Sequence, residues 1–554
     1  MPADLARPPA TGPAYSSFPR TAWAAWTAAA AVVAVLLLST FAFASPDSTG
    51  SSSQGSGGVA DTSGGAAGDS AGNGTSAAGG GPVTGSTGHT SGSAGHNVTS
   101  STGGKAGRPG TSSGPHSSSP AGSAGTAGSS GSAGSAGAGG AGGAAGAAGG
   151  AQCAGGQNGG GTDTGVSATE IKLASTVVKS GIGQAFLGDV EYGMTAVMDK
   201  TNRAGGICGR QLSLKLVDDG WDASTGEQDI RDFINEGYFA LAVEPSSEGL
   251  RGAIQSGDID SAGIPVVGTD GMLQDQYLDS NVWPVSTSTG SLMHIMAKYA
   301  YAQGARSFGL VYDQNYRFGV EGEAAFKGAL NRLGGTNLYE YPVQAGQTSY
   351  DTSTFNDSCN QCDFVALLLE PDTATAWINS GAYLGTSGKA LGAAGPQTLF
   401  TYNFGQNFAQ DCKGSACQAH FLVWTGFKPP VSPDDADPAV QAYVNDLAAT
   451  NSSADKYNQF VEGGYTGMEL LVQALKQVGP NLSRAALKQV LDQSTFASGL
   501  TGGQETWSSG HHFANSSAQA FSLVMSNGAF ENFRYENTGW ISDPWVGQDL
   551  ASGS

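Results

Sequence analysis

Beyond Gly165 short apolar runs alternate with apolar stripes at helical spacing. Ile171–Val177 (IKLASTV) predicts a strand; Val190, Met194, Val197 and Met198 then mark one face of a helix over Gly188–Asn202, which Ala204-Gly205-Gly206 ends. Leu212–Val217 (LSLKLV) alternates as a half-buried strand does. Phe239–Val243, Ile264–Val267, Phe308–Tyr312 and Phe364–Leu369 are continuous apolar runs bounded by turn or polar residues, the pattern of buried parallel strands. Helical stripes return at Met468–Val478 and, after a Ser483 cap, at Leu487–Leu491. Phe521–Ser526 and Ala529–Arg534 flank Asn527-Gly528, a hairpin signal. Repeated βα units predict an α/β fold with doubly wound sheets, in which ligands sit beyond the carboxyl ends of the strands.

Composition divides the 554 residues unevenly. Residues 46–164 are nearly all Gly, Ala, Ser and Thr, with too little apolar surface to offset backbone entropy, and read as a disordered linker. A Gly-rich coil of this length has an end-to-end distance of roughly 55–60 Å, a reach suited to crossing a cell-wall layer. Before it, Ala22–Ala44 is uncharged, apolar and preceded by Arg7 and Arg20, so residues 1–45 read as a signal peptide or a signal anchor with everything after them exported. The remaining body, 165–554, exceeds the size at which single cores stop growing, and two lobes are expected. Only four of the 25 basic and four of the 46 acidic residues precede position 151, so the net charge of −21 belongs to the body. Such a body repels phosphate backbones and anionic lipid, which argues against nucleic acid as a partner.

Six cysteines in an exported chain predict disulfides. Sequence proximity favours Cys359–Cys362 and Cys412–Cys417, leaving Cys153 with Cys208. A zinc site could use the same spacings, but an oxidising compartment weighs against it. Catalytic signatures are missing. Gly68-Asp69-Ser70-Ala71-Gly72 and Gly110-Thr111-Ser112-Ser113-Gly114 match a hydrolase pattern only through composition, since neither follows a strand or opens a helix. His294 sits in an apolar helical stretch and His511-His512 in a turn region, while Asp434-Asp435-Ala436-Asp437 lacks the Gly and terminal Glu of a calcium loop. No nucleophile–base pair or metal cluster stands out, and neither catalysis nor a cofactor is expected.

The run from Ile171 to Asn202-Arg203-Ala204-Gly205-Gly206-Ile207-Cys208-Gly209-Arg210, followed by Val217-Asp218-Asp219, resembles the opening of type I periplasmic binding proteins, the branched-chain amino-acid and amide receptors of ABC transporters. Gly263-Ile264-Pro265-Val266-Val267, Leu310-Val311-Tyr312-Asp313 with Phe318-Gly319, and the closing hairpin continue the likeness over nearly all of the body. The resemblance implies two Rossmann-like lobes, 165–284 with 430–517 and 285–429 with 518–554, joined by three crossovers near Trp283–Ser286, Phe427–Pro430 and Ser517–Phe521. By position it implies a carboxylate cradle of Ser246, Ser247 and Thr269, residue types that also cap helices. It implies aromatic walls at Phe186 and at Tyr316 or Phe318. The family's second-lobe acid has no counterpart in Leu399–Gly405, so Glu370 at the end of Phe364–Leu369 is the candidate for that charge. The function so implied is capture of a small polar metabolite (amino acid, amide or related carboxylate) outside the plasma membrane for an ABC permease. The rival is a sensor ectodomain on the same fold, held at the membrane by the Ala22–Ala44 helix and working through another membrane partner.

Overall fold

Apolar runs become central strands where helices can cover both faces, and this chain builds two such sheets. The computed structural model describes Cys153 and residues 158–334, 337–385, 391–412, 419–509 and 512–552, all within one compact unit, Ala133–Ser554. The apolar segment Ala22–Ala44, the linker through residue 157 apart from Cys153, His511 and Cys417 lie outside the described residues. Among those described, no helix is long and apolar enough to cross a membrane.

The first sheet contains β1 (Glu170–Val177), β2 (Gln211–Asp218), β3 (Ala240–Ala242), β4 (Val266–Thr269) and β5 (Val282–Pro284), all parallel, in the order β2-β1-β3-β4-β5. The second contains β6 (Ser307–Asp313), β7 (Asn337–Val343), β8 (Phe364–Leu368), β9 (Ala393–Gly395) and β10 (Phe421–Thr425), running in parallel as β7-β6-β8-β9-β10. A two-stranded ribbon, β11 (Thr495–Phe496) with β12 (Glu505–Thr506), precedes the closing hairpin. That hairpin, β13 (Ser517–Ser526) and β14 (Ala529–Tyr535), adds antiparallel strands beside β10, and β15 (Ile541–Ser542) pairs with β13. Its turn is the expected one, with Asn527 at φ 53° and Gly528 at φ 78°.

Among the strands that the pattern did not announce, β7 and β9 escaped it for different reasons. β7 is an edge strand exposed on most of its length, so it shows no apolar run, and Pro342 is tolerated there. β9 is Ala-Ala-Gly, which has no strand preference of its own; β8 and β10 on either side impose the conformation. The helix at the first lobe's centre, Gln459–Val478, opens earlier than its Met468–Val478 stripe, because Asn458 caps it through Phe460 N. Its Gly467 lies against Gly268 so closely that a Cβ on Gly268 would stand 2.4 Å from the Gly467 Cα, and Gly268 itself is at φ +88°. Ser483 caps the helix Arg484–Gln493 through Ala486 N, as expected.

The chain leaves the first sheet after β5, returns after β10 and leaves again just before β13. Thr287 forms a parallel bridge with Asn515, its Oγ1 donates to Ser517 O (2.8 Å), and Asn515 Nδ2 donates to Gly426 O (3.0 Å). Three segments with few covalent constraints are thereby knitted side by side. Ser517–Phe521 itself belongs to β13, so the third passage sits slightly upstream of that run.

Packing of the body begins before Gly165. Arg210, buried completely, donates to Gly160 O (2.8 Å), Ser167 O (2.8 Å) and Pro480 O (3.0 Å), and Asp163 accepts from Arg484 N (2.7 Å). Cys153–Cys208 and Cys359–Cys362 are bridged, and Cys412 is also in a disulfide. Cys153–Cys208 closes a span of 55 residues, for which loop entropy alone suggests on the order of 4 kcal/mol. Arg210 already holds the same segment when the bridge is open, so reduction should cost only about 2 kcal/mol, and opening the three-residue span Cys359–Cys362 less still. Thermal melts of Cys153→Ser and Cys359→Ser variants would check the ranking; a larger loss for the second would refute it.

Candidate functional site

In doubly wound sheets the strand order reverses at one point, and the loops leaving the strands on either side diverge to leave a crevice. In the first sheet that point lies between β1 and β3; in the second it lies between β6 and β8. The lobes meet there. Glu248, behind β3, accepts from Arg317 N behind β6 (2.8 Å). Glu321 of the second lobe accepts from Gln274 N of the first (2.7 Å) and from Arg317 Nε (2.9 Å). Asp455 of the first lobe accepts from Tyr402 N of the second (2.8 Å).

The residues singled out from the sequence fall around this seam. Phe186 lies in the short helix Gln184–Leu187 behind β1 and is fully buried. Ser246 and Ser247 follow β3, where Val243 (φ 70°) and Glu244 (φ 46°) hold a left-handed backbone ahead of Pro245. Such conformations cost of order 1–3 kcal/mol each and collect at ligand sites. Ser246 Oγ donates to Asp219 Oδ1 (2.8 Å), Ser247 Oγ accepts from Trp221 Nε1 (3.1 Å), and Thr269 Oγ1 donates to Gln276 Oε1 (2.6 Å). Tyr316 and Phe318 follow β6, the first half-buried and the second fully. Glu370, behind β8, caps the helix Pro371–Asn379 by accepting from Asp372 N (2.7 Å) and Thr373 N (2.6 Å).

Residues the sequence did not single out complete the centre. Trp221, in the turn after β2, is stacked on Tyr316 (centroids 4.5 Å, 11°) and meets Phe186 edge-on (5.3 Å) and Phe318 tilted (5.9 Å). An aromatic directly beyond a parallel strand is a readable signal, masked here by the two acids before it. Gln397, which donates to Ser286 Oγ (2.9 Å), follows β9. The run Leu399–Gly405, which lacks a carboxylate, covers the end of a 3₁₀ turn, Gln397–Leu399, and the start of the helix Tyr402–Asp411.

Burial shapes the electrostatics. Desolvation pushes the carboxyls of Asp219 and Asp313 up to about 6, and those of Asp270 and Glu370 up to about 7. Glu321 reaches about 7 by the same cause, in spite of Arg317. Glu244, which accepts from Thr176 N and Oγ1, stands well above the usual carboxylate range, again by desolvation. An anion entering here meets mostly acids, and the nearby bases Lys179 and Arg317 are already paired with Glu191 and Glu321. Among the described residues no group of His, Cys, Asp and Glu is placed to hold a metal ion. Beside the aromatic centre a polar pocket of about 350 Å³ opens between the lobes, lined by Lys179, Gln184 and Asp189 of the first and Asp372, Thr401 and Asn403 of the second.

A family model described as periplasmic binding protein matches residues 170–529. No curated protein matches the sequence. Among solved structures, a fatty acid ABC transporter substrate-binding protein from Thermomonospora curvata is 16% identical, with a TM-score of 0.57 and coverage of 69% of this chain and 95% of that one. A possible leucine/isoleucine/valine-binding protein from Rhodopirellula baltica is 15% identical (TM-score 0.56; 66% and 96% covered). A solute-binding protein of an ABC transporter from Rhodopseudomonas palustris, in complex with p-hydroxybenzoic acid, is 13% identical (TM-score 0.54; 68% and 97% covered). At these identities the likeness is one of fold.

Proposed function

The chain belongs to the type I periplasmic binding proteins, and from that we propose that it is the extracellular solute-binding component of an ABC-type uptake system, capturing a small polar metabolite between its lobes. The observation that carries this reading is the seam itself: two sheets present their switch points to one another, with strained loops of the first lobe and aromatic side chains of both at the junction. Three knitted crossovers at one end supply a hinge, as domain closure around a ligand requires. We place Phe186, Ser247, Tyr316 and Phe318 at the lining of the cleft. Ser246, Thr269 and Glu370 belong to its frame in this reading, because each spends its polar atoms on a buried neighbour or a helix end. The N-terminal segment would hold the body at the outer face of the membrane or be removed after export, and a permease would receive the ligand.

Native mass spectrometry of the full chain should reveal a co-purified small molecule. Small-angle scattering with and without that molecule should then show compaction. A chain that carries no solute, and whose melting temperature no small metabolite raises, would sink this reading.

A further inference from the structure

The centre of the cleft is not empty space. Trp221 is 2% exposed, although it projects from a turn at the mouth of the first sheet. It touches residues from three of the loops around the seam: Phe186 behind β1, Ser247 behind β3, and Tyr316 and Phe318 behind β6. Its indole N–H holds the Ser247 hydroxyl, whose other neighbour is Met272 Sδ at 3.8 Å. The backbone keeps the ring there at a cost: Trp221 has φ 64°, which a bulky residue seldom adopts, and Asp219 Oδ1 fixes its N–H at 2.9 Å.

We infer that Trp221 is the specificity-determining residue of this cleft: its indole occupies the central seat, excludes carboxylate ligands from it, and moves recognition to the polar pocket alongside. This rests on the solute-binding reading above. Two independent features agree with it. The Ser247 hydroxyl that could hold an anionic end lies against the indole, accepts its N–H, and directs its own proton at Met272 Sδ (3.8 Å). The neighbouring pocket of about 350 Å³ offers amide, hydroxyl and carboxylate groups, and its cation, Lys179, is paired with Glu191 at 2.8 Å. The ligand class that fits is therefore a small solute without a carboxylate, carrying hydroxyl or amide groups.

Trp221→Gly tests the assignment, because glycine adopts φ 64° freely and deletes the ring. Removing an indole from a packed aromatic wall leaves an apolar cavity able to take a small ring, with the Ser247 hydroxyl uncovered and able to turn its proton from Met272 to the ring's acid group. Calorimetric titration of the full chain with benzoate and with valine should give no heat up to millimolar concentration. Trp221→Gly should bind benzoate at least 100-fold more tightly than that limit. Trp221→Leu, which keeps an apolar side chain but frees Ser247, should gain less, and it serves as the readout if the glycine variant does not fold. Either acid binding the parent, with affinity lost in both variants, would overturn the inference while leaving the solute-binding reading intact. Parent and variants that bind neither acid, nor any of a panel of polyols and amides, would overturn the reading beneath it.

Discussion

Replacing Arg210 with Met should lower the stability of the body by about 4 kcal/mol, among the larger effects a single side chain can have. The guanidinium is buried and donates to three carbonyls from distant parts of the chain, at Gly160, Ser167 and Pro480. Methionine fills much of the volume but leaves those acceptors without donors, each at roughly 1–3 kcal/mol. Desolvating a cation opposes the gain from these bonds, which is why the net figure stays below their sum. Arg210→Lys keeps the charge and loses the fork that spans three acceptors, so an intermediate loss is expected. Denaturant midpoints of the two variants check the order. A Met variant within 1 kcal/mol of the parent would mean that the carbonyls find other donors.

The second large effect is on pH. Glu505, in the small ribbon, is 1% exposed, and only the Thr501 hydroxyl nearby offsets the burial of its carboxylate. Burial pushes its carboxyl up to about 8 from an ordinary 4.5. A folded-state pKa above the unfolded one means that the folded chain binds more protons between those values. The contribution is therefore fully present below about pH 4.5 and is lost as pH rises through about 8. At about 1.4 kcal/mol per unit, the loss from this group approaches about 5 kcal/mol. Asp270, Glu321 and Glu370 act in the same direction up to about 7. Asp218, Asp222 and Asp437, whose carboxyls are held below their usual range, act oppositely at lower pH. The body should accordingly be most stable near pH 5 and weaker by several kcal/mol at pH 8. Glu505→Gln should flatten that slope and be more stable than the parent at pH 8 by about 2 kcal/mol. A parent whose melting temperature is level between pH 5 and 8 would disprove the assignment.

Closure and selectivity are separable in this architecture. Contacts at the seam such as Glu248 with Arg317 N and Asp455 with Tyr402 N join backbone of one lobe to carboxylate of the other, so they report closure. The Trp221 ring decides what can share the closed space. Under the proposed closure, changes at the first pair should shift the affinity for every ligand alike, because no ligand group takes part in that contact.

The periodicities of Phe308–Tyr312 and Phe364–Leu369, apolar because a central strand is covered on both faces, and of Leu212–Val217, alternating because an edge strand is half-buried, determined the fold class. The Asn527-Gly528 turn and the Ser483 cap were likewise legible, since both rest on interactions within a few residues. Local spacing was also enough for Cys359–Cys362. Only the tertiary structure made strands of Ala393–Gly395 and Asn337–Val343, whose own residues do not demand it and whose neighbours do. The same holds at the cleft. Ser246, Ser247 and Thr269 announce themselves as hydroxyls, but what each hydroxyl does depends on Asp219, Trp221 and Gln276. Two of those partners lie on other loops, brought within 3.1 Å by the winding of the sheet. A side chain's type is written in the sequence; whether its polar atom faces solute or protein is decided by which loop the fold sets beside it.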